Sequence, residues 1–200
     1  LLPVLRLFRF PDTRDRRLGE YHNTENHCQT VFMPAGQPCC VYRKGHLGVS
    51  MLVFAPVGYW LVSTGTPELA LVMGMLMVWF AMLPDIDHRL PVVNHRGVTH
   101  SLLFSLLAGG LFGAAGLVLD DAVNIAEVSL GLHGFLLGVL TVGAHLVGDI
   151  LTPAGVPLLW PLSRTYSVSV TQADSTLANY GLFALGIAVT GGWIGVAFGM

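Results

Sequence analysis

Charged side chains are scarce in this sequence. Only 11% of its 200 residues are charged and 53% are hydrophobic, whereas an ordinary soluble domain has roughly 25% charged residues. This composition excludes a typical soluble globular domain and predicts an integral membrane protein. The net charge of -2 also excludes a broadly basic surface, so we expect no direct nucleic-acid partner.

Cysteine is confined to the first 40 residues, which excludes a thiolate-ligated metal site from the apolar remainder of the chain. Residues 1–40 also hold nine of the 22 charged residues and show no sustained hydrophobic period, so we expect a loose N-terminal extension. They lack the single long apolar run of a cleaved signal peptide. The sequence leaves open whether this extension is native or an artefact, and we assign residues 41–200 to one transmembrane domain.

Five apolar stretches are long enough, or nearly so, to cross a bilayer, which takes about 20 residues. They are Leu47–Ser63, Glu68–Leu83, Val98–Leu119, Val128–Leu151 and Leu177–Phe198. The second is short, and the following PDID segment is expected to complete it. The pattern predicts an all-α, polytopic bundle of about five transmembrane helices. A small-xxx-small motif, Gly134 to Gly138, permits close helix packing but is weak evidence for a dimer.

Basic residues in the short connections predict the orientation of the bundle. Arg43 and Lys44 precede the first stretch, Arg89 and Arg96 follow the second, and Arg164 follows the fourth. The other two connections contain no basic residue. Because basic loops stay cytoplasmic, we predict an N-in protein of the inner (plasma) membrane, in contact with membrane lipid.

Ionisable residues collect at the predicted cytoplasmic ends of four of these helices. Such residues are costly within a membrane and by default indicate function. We predict that they converge to bind a divalent metal ion, namely zinc, manganese, iron or magnesium. The candidate ligands are His46, Asp85, Asp87, His95, His100, His145 and Asp149.

Local spacing supports this convergence. His145 and Asp149 are four residues apart, so they share one face of a helix. Pro84 ends the second helix, and an extended segment after it would project Asp85 and Asp87 to the same side. The alternative reading of these two carboxylates is a helix cap, or ion pairs with neighbouring arginines.

A bound divalent ion makes water more acidic, and a spare carboxylate or imidazole can then act as general base, which predicts hydrolytic chemistry. The candidate catalytic residues are Asp85, Asp87, His100 and Asp149. Arg96 and Arg164 lie on the same predicted side and could bind phosphate oxygens. We therefore expect a phosphoester or lipid-linked substrate. The proline-rich segment after the fourth helix is either a lid over the site or a rigid connector.

Four motifs occur in a characteristic order: GHLGVS (45–50), LPDIDH (83–88), HRGVTHS (95–101) and AHLVGDILTPAGVPLLWPLS (144–163). Together they resemble the YdjM-like family of inner-membrane proteins, to which metal-dependent hydrolase activity and LexA binding are ascribed. The resemblance implies a polytopic prokaryotic membrane hydrolase and places all seven candidate metal ligands at family positions. Residues 1–40 have no counterpart in the family pattern.

Two other classes of function stay open at this stage. The same ligands could form the binding station of a divalent-ion transporter, or the chain could anchor a soluble partner such as LexA at the membrane. Against transport, the candidate ligands lie near one face, the opposite halves carry no ionisable relay except His133, and no inverted repeat is apparent.

Overall fold

The computed structural model of the chain describes residues 42–89, 97–123, 128–173 and 175–199. The predicted extension, residues 1–40, and the candidates His95 and Arg96 lie outside these residues. The described chain is helical, which confirms the predicted all-α fold. It forms α1 (Tyr42–Ser63), α2 (Pro67–Trp79), α3 (Leu102–Val123), α4 (Leu130–Ile150) and α5 (Thr176–Phe198), with 3-10 turns at Pro84–Arg89 and Val98–His100.

Five helical segments in the described ranges are long and apolar enough to cross a membrane. α2 alone has 13 residues, but the helical path continues through the first 3-10 turn to give a segment of 21 residues, Pro67–Asp87. The PDID segment therefore completes the second span, as predicted. The N-in orientation stays a prediction.

Two helices begin away from their predicted positions. α1 begins at Tyr42 rather than Leu47, because the long side chains of Arg43 and Lys44 can leave the apolar region from the first turn of a helix. α3 begins at Leu102 rather than Val98, because residues 98–100 form a 3-10 turn before it.

Glycines let α3 and α4 approach closely along their length. A Cβ atom at Gly138 would lie 2.6 Å from the carbonyl oxygen of Ala108, and one at Gly134 or Gly116 would also meet backbone of the facing helix. Contacts this short leave no room for a side chain. The small-xxx-small motif of α4 therefore packs two helices of the same chain.

α1 packs against α2, α4 and α5 around an apolar core. The buried members of this core are Phe54, Leu61, Ala70, Met73, Met77, Leu137, Ala144 and Trp193. Glycines also let α1 and α5 approach closely, since a Cβ at Gly186 would lie 2.8 Å from the carbonyl oxygen of Gly48. The resulting arrangement gathers the start of α1, the 3-10 turns between α2 and α3, and the end of α4 at one end of the bundle.

The proline-rich segment folds back onto this same end. Val156 is buried and forms an antiparallel bridge with Tyr166, and the backbone N–H of Leu102 donates to the carbonyl of Leu158 over 2.9 Å. The N–H of Val168 donates to the carbonyl of Ile150 over 2.8 Å. These bonds fasten the segment to the start of α3 and the end of α4, which favours the connector over the lid.

Candidate metal site

Five of the predicted ligands meet at this end of the bundle. His46 comes from α1, Asp85 from the first 3-10 turn, His100 from the second, and His145 and Asp149 from α4. We call these five residues the His/Asp cluster. All are buried except Asp85, whose side chain is 22% exposed. The predicted convergence of residues distant in sequence is therefore observed for these five.

Four ligand atoms of the cluster alternate between nitrogen and oxygen. Nε2 of His100 lies 3.3 Å from Oδ1 of Asp85, and that oxygen lies 3.3 Å from Nε2 of His145. Oδ2 of Asp149 closes the ring, at 3.4 Å from Nε2 of His145 and 3.5 Å from Nε2 of His100. We call these atoms the four-atom set.

The tautomer of His145 follows from its neighbour on the far side of the ring. Nδ1 lies 2.9 Å from the carbonyl oxygen of Ala81, and a carbonyl can only accept a hydrogen bond. Nδ1 therefore carries a proton, and in the neutral ring Nε2 presents a lone pair. This Nε2 is buried and faces Oδ1 of Asp85 and Oδ2 of Asp149.

The tautomer of His100 follows from a chain of two bonds. The hydroxyl of Thr99 donates its one proton to Oδ2 of Asp87 over 2.6 Å, so its oxygen can only accept from Nδ1 of His100, which is 3.0 Å away. Oδ2 of Asp87 also lies 3.3 Å from that nitrogen. Nδ1 of His100 is therefore protonated, and in the neutral ring Nε2 faces the four-atom set with a lone pair.

Two imidazole lone pairs and two carboxylate oxygens thus face one another in a buried space. With both rings neutral, all four are hydrogen-bond acceptors, and acceptors 3.3–3.5 Å apart repel one another unless a proton or a metal ion lies among them. Histidines whose second ring nitrogen is held by a carbonyl or a carboxylate are typical of metal ligands. The electrostatics of the site therefore suit a cation.

The spacing of the four-atom set also fits a metal ion. Two ligand atoms of tetrahedral zinc, with bonds of about 2.0–2.1 Å, lie roughly 3.3–3.4 Å apart, and each consecutive pair of atoms here is separated by a similar 3.3–3.5 Å. Two triads of ligand atoms, each within 4.8 Å of one another, could hold an ion: His46, His145 and Asp149, or Asp85, His100 and His145. Both triads use His145.

His46 contacts the cluster from the side of α1. Its ring stacks on that of His145, with centroids 4.1 Å apart, and its Nε2 lies 3.7 Å from Oδ1 of Asp149. Asp149 thus turns one oxygen to His46 and the other to the four-atom set. Gly148 makes room for this ring, because a Cβ there would lie 2.5 Å from Nδ1 of His46.

One detail of the predicted geometry is wrong. The segment from Asp85 to Asp87 is not extended but lies in a 3-10 turn, stabilised by a bond from the N–H of Ile86 to the carbonyl of Leu83. As a result the two carboxylates do not project together. Asp85 faces Nε2 of His100, whereas Asp87 faces Nδ1 on the other edge of the same ring.

Of the predicted phosphate-binding residues, only Arg164 is described by the structure. It is exposed in the segment after α4, with its guanidinium carbon 5.9 Å from the centroid of the Tyr166 ring. Sequence analysis did not identify the Ala81 carbonyl, Gly148 or Thr99 as parts of the site. Their proximity to the ligand motifs was the available signal, since Thr99 precedes His100 and Gly148 precedes Asp149.

Comparison with known proteins places the chain in a family. A family model described as YdjM inner membrane protein matches residues 42–200. Inner membrane protein YdjM of Escherichia coli (strain K12) is 40% identical over 123 residues, which cover 52% of this chain and 58% of that protein. The protein of the same description from Shigella flexneri gives the same values.

The chain therefore spans a little over half the length of these relatives. No solved structure matches it. The family match extends over all the described residues, including the five candidate membrane spans and the His/Asp cluster. The chain belongs to the YdjM inner membrane protein family.

Proposed function

We propose that this chain is a membrane-embedded, metal-dependent hydrolase with its site at the cytoplasmic face. The observation that carries the proposal is the four-atom set, in which two oriented imidazoles and two carboxylates face one another with their lone pairs. When bound, a divalent ion supplies a Lewis acid and makes water more acidic.

The burial of the side chains suggests which residues bind the ion and which one accepts a proton from water. His100, His145 and Asp149 are buried and would hold the ion, whereas Asp85 is partly exposed and stands on the side that water can reach. A catalytic site keeps one position open to water and substrate. In this proposal the three buried residues would hold the ion and Asp85 would not, so that Oδ1 of Asp85 can accept the proton of the attacking water, and Asp87 keeps the His100 ring in place.

The ligand chemistry favours some ions over others. Two imidazole nitrogens suit zinc or iron, whereas magnesium prefers oxygen ligands in octahedral geometry. Neighbouring ligands of octahedral magnesium, with bonds of about 2.0–2.1 Å, lie roughly 2.9 Å apart, which is closer than any separation in the four-atom set. We therefore propose zinc or iron ahead of manganese, and magnesium last.

The proposed substrate is a phosphoester, or another ester linked to lipid. Arg164 supports it, because the segment that carries this exposed cation is hydrogen-bonded to the end of α4 beside the cluster. Arg96 is the second candidate from the sequence. An arginine can hold two phosphate oxygens at once.

The test combines metal analysis with hydrolysis by the purified protein in detergent. We expect one equivalent or more of a transition metal in the wild type, its loss in His145→Ala, and its retention in His133→Ala, a histidine at the other end of α4. Phosphate release from phosphatidic acid in mixed micelles should fall with the metal. Metal retained in His145→Ala, or equal hydrolysis by the Asp149→Asn variant, would contradict the proposal.

Divalent-ion transport is the alternative proposal for the same ligands. Beyond the cluster, the described interior is mostly apolar, with Phe54, Leu61 and Met77 fully buried, which supports hydrolysis over a transmembrane ion path. Binding of a LexA-type partner stays a prediction. Metal uptake into proteoliposomes and a pull-down with cluster variants would test these two alternatives.

A further inference from the structure

A second site lies away from the His/Asp cluster, in a groove between α1, α2 and α5. The groove has a volume of about 980 Å³, which falls within the usual range of ligand pockets, roughly 300–1,000 Å³. Its walls carry Leu47 and Met51 of α1, Leu71 and Val78 of α2, and Thr190 and Ile194 of α5. All six are half-buried.

The groove exists because one wall lacks a side chain. Gly74 of α2 lines it, and a Cβ atom there would lie 3.0 Å from the ring of Phe54, which is buried in the floor. By contrast, the outer face of α3 carries exposed leucines such as Leu107 and Leu111. The groove is therefore a concave feature in a bundle whose other apolar faces meet lipid directly.

A positively charged side chain, that of Arg43, lies at the end of this apolar groove. Arg43 lines it at the first turn of α1 and is exposed. The neighbouring Lys44 is instead directed to α5, where its ammonium group contacts the hydroxyl and the ring of Tyr180. An apolar channel within membrane-spanning segments, with one arginine at its end, is complementary to an amphiphile that has an apolar chain and an anionic head.

We propose that this groove binds one acyl chain of an anionic glycerophospholipid from the surrounding bilayer, with the lipid phosphate held by Arg43. The lipid lies lengthwise between α1, α2 and α5, and its phosphate stands near the membrane depth of His46, which follows Arg43 by three residues on α1. The proposal rests on the groove and on Arg43, and it does not depend on metal binding or hydrolysis.

The test uses the whole chain in nanodiscs of phosphatidylcholine that contain a small fraction of photoreactive phosphatidylglycerol, with a diazirine on the acyl chain. Crosslinks should map to the walls of the groove. Thr190→Trp and Val78→Trp, one from each of two walls, should lower this labelling about tenfold by filling the space, equivalent to about 1.4 kcal/mol. Leu107→Trp, on the exposed face of α3, is the matched control and should label as the wild type does.

The headgroup is tested with a second probe, photoreactive phosphatidylcholine. Both lipids carry a phosphodiester, but the choline ammonium of phosphatidylcholine neutralises its charge and repels Arg43. The wild type should therefore favour phosphatidylglycerol by about tenfold, which corresponds to about 1.4 kcal/mol. Arg43→Gln should abolish that preference, and Arg43→Lys should restore most of it. Equal labelling by both probes in the wild type, or unchanged labelling in both tryptophan variants, would overturn the proposal. An absence of crosslinks because a second copy of the chain covers the groove would overturn it as well.

Discussion

The imidazole rings of His46 and His145 stack face to face, with centroids 4.1 Å apart and planes inclined by 6°. One ring comes from α1 and the other from α4, so the stack fixes how these helices meet at the His/Asp cluster. Gly148 provides the space beside it, because any Cβ at that position would collide with the ring of His46.

We therefore expect Gly148→Ala to displace His46 and to weaken metal binding about tenfold or more, the range seen when the support of a ligand is lost. Competition with a fluorescent chelator measures this affinity. Gly143→Ala is the matched control on the same helix, since a Cβ there meets no atom within 4 Å, and it should bind metal normally. Equal affinities in the two variants would show that His46 has no part in the site.

The hydroxyl of Thr99 orients Asp87 and thereby the ring of His100. Thr99→Val keeps the side-chain shape but removes that donor, and we expect metal affinity to fall about 10-fold to 100-fold. Thr141→Val provides the comparison, because the buried hydroxyl of Thr141 has no hydrogen-bond partner within the described residues. Its removal should leave affinity unchanged and stability unchanged or raised.

Removal of the metal should destabilise the protein. Without a cation, the carboxylates of Asp85 and Asp149 and the two Nε2 lone pairs repel one another, and a ligand that binds only the folded state stabilises that state. We expect a chelator to lower the Tm of the wild type in detergent by several degrees. A cluster variant that binds no metal, His145→Ala, should show no chelator effect, and an equal shift in both proteins would count against the site.

The glycine contact between α3 and α4 should resist substitution. Gly138→Ala would force a Cβ against the backbone of Ala108, and we expect a loss of about 1–3 kcal/mol in the free energy of unfolding. Gly110→Ala lies on α3, where a Cβ meets nothing within 4 Å, and should be neutral or slightly stabilising. Thermal unfolding in detergent compares the two, and a neutral Gly138→Ala would mean that the helices can separate at low cost.

Much of this architecture could be predicted from the sequence because the bilayer imposes strong constraints. The five apolar stretches had to be helices, and the ionisable residues near their ends had to contact one another rather than lipid. The meeting of His46 with Asp149 follows from that argument, although the two residues are far apart in the chain. The i, i+4 spacing of His145 and Asp149 placed both on the face that lines the cluster.

The conformation after Pro84 was harder to predict, because a short turn has no periodicity from which its dihedral angles can be inferred. An extended chain and a 3-10 turn both satisfy the restriction that proline imposes on the preceding residue. Only the packing of Asp87 against Thr99 and His100 decides between them. The carbonyl of Ala81 was also invisible to sequence analysis, since every residue has one.

The cluster draws its side chains from α1, from the turns on either side of the α2–α3 connection, and from the end of α4. It therefore cannot exist in a nascent chain until the fourth span has left the insertion machinery and joined the first. Until then Asp85 lacks His145, its histidine neighbour from α4. Metal would therefore bind late in biogenesis. Its binding would indicate that the first four spans have assembled in their correct order.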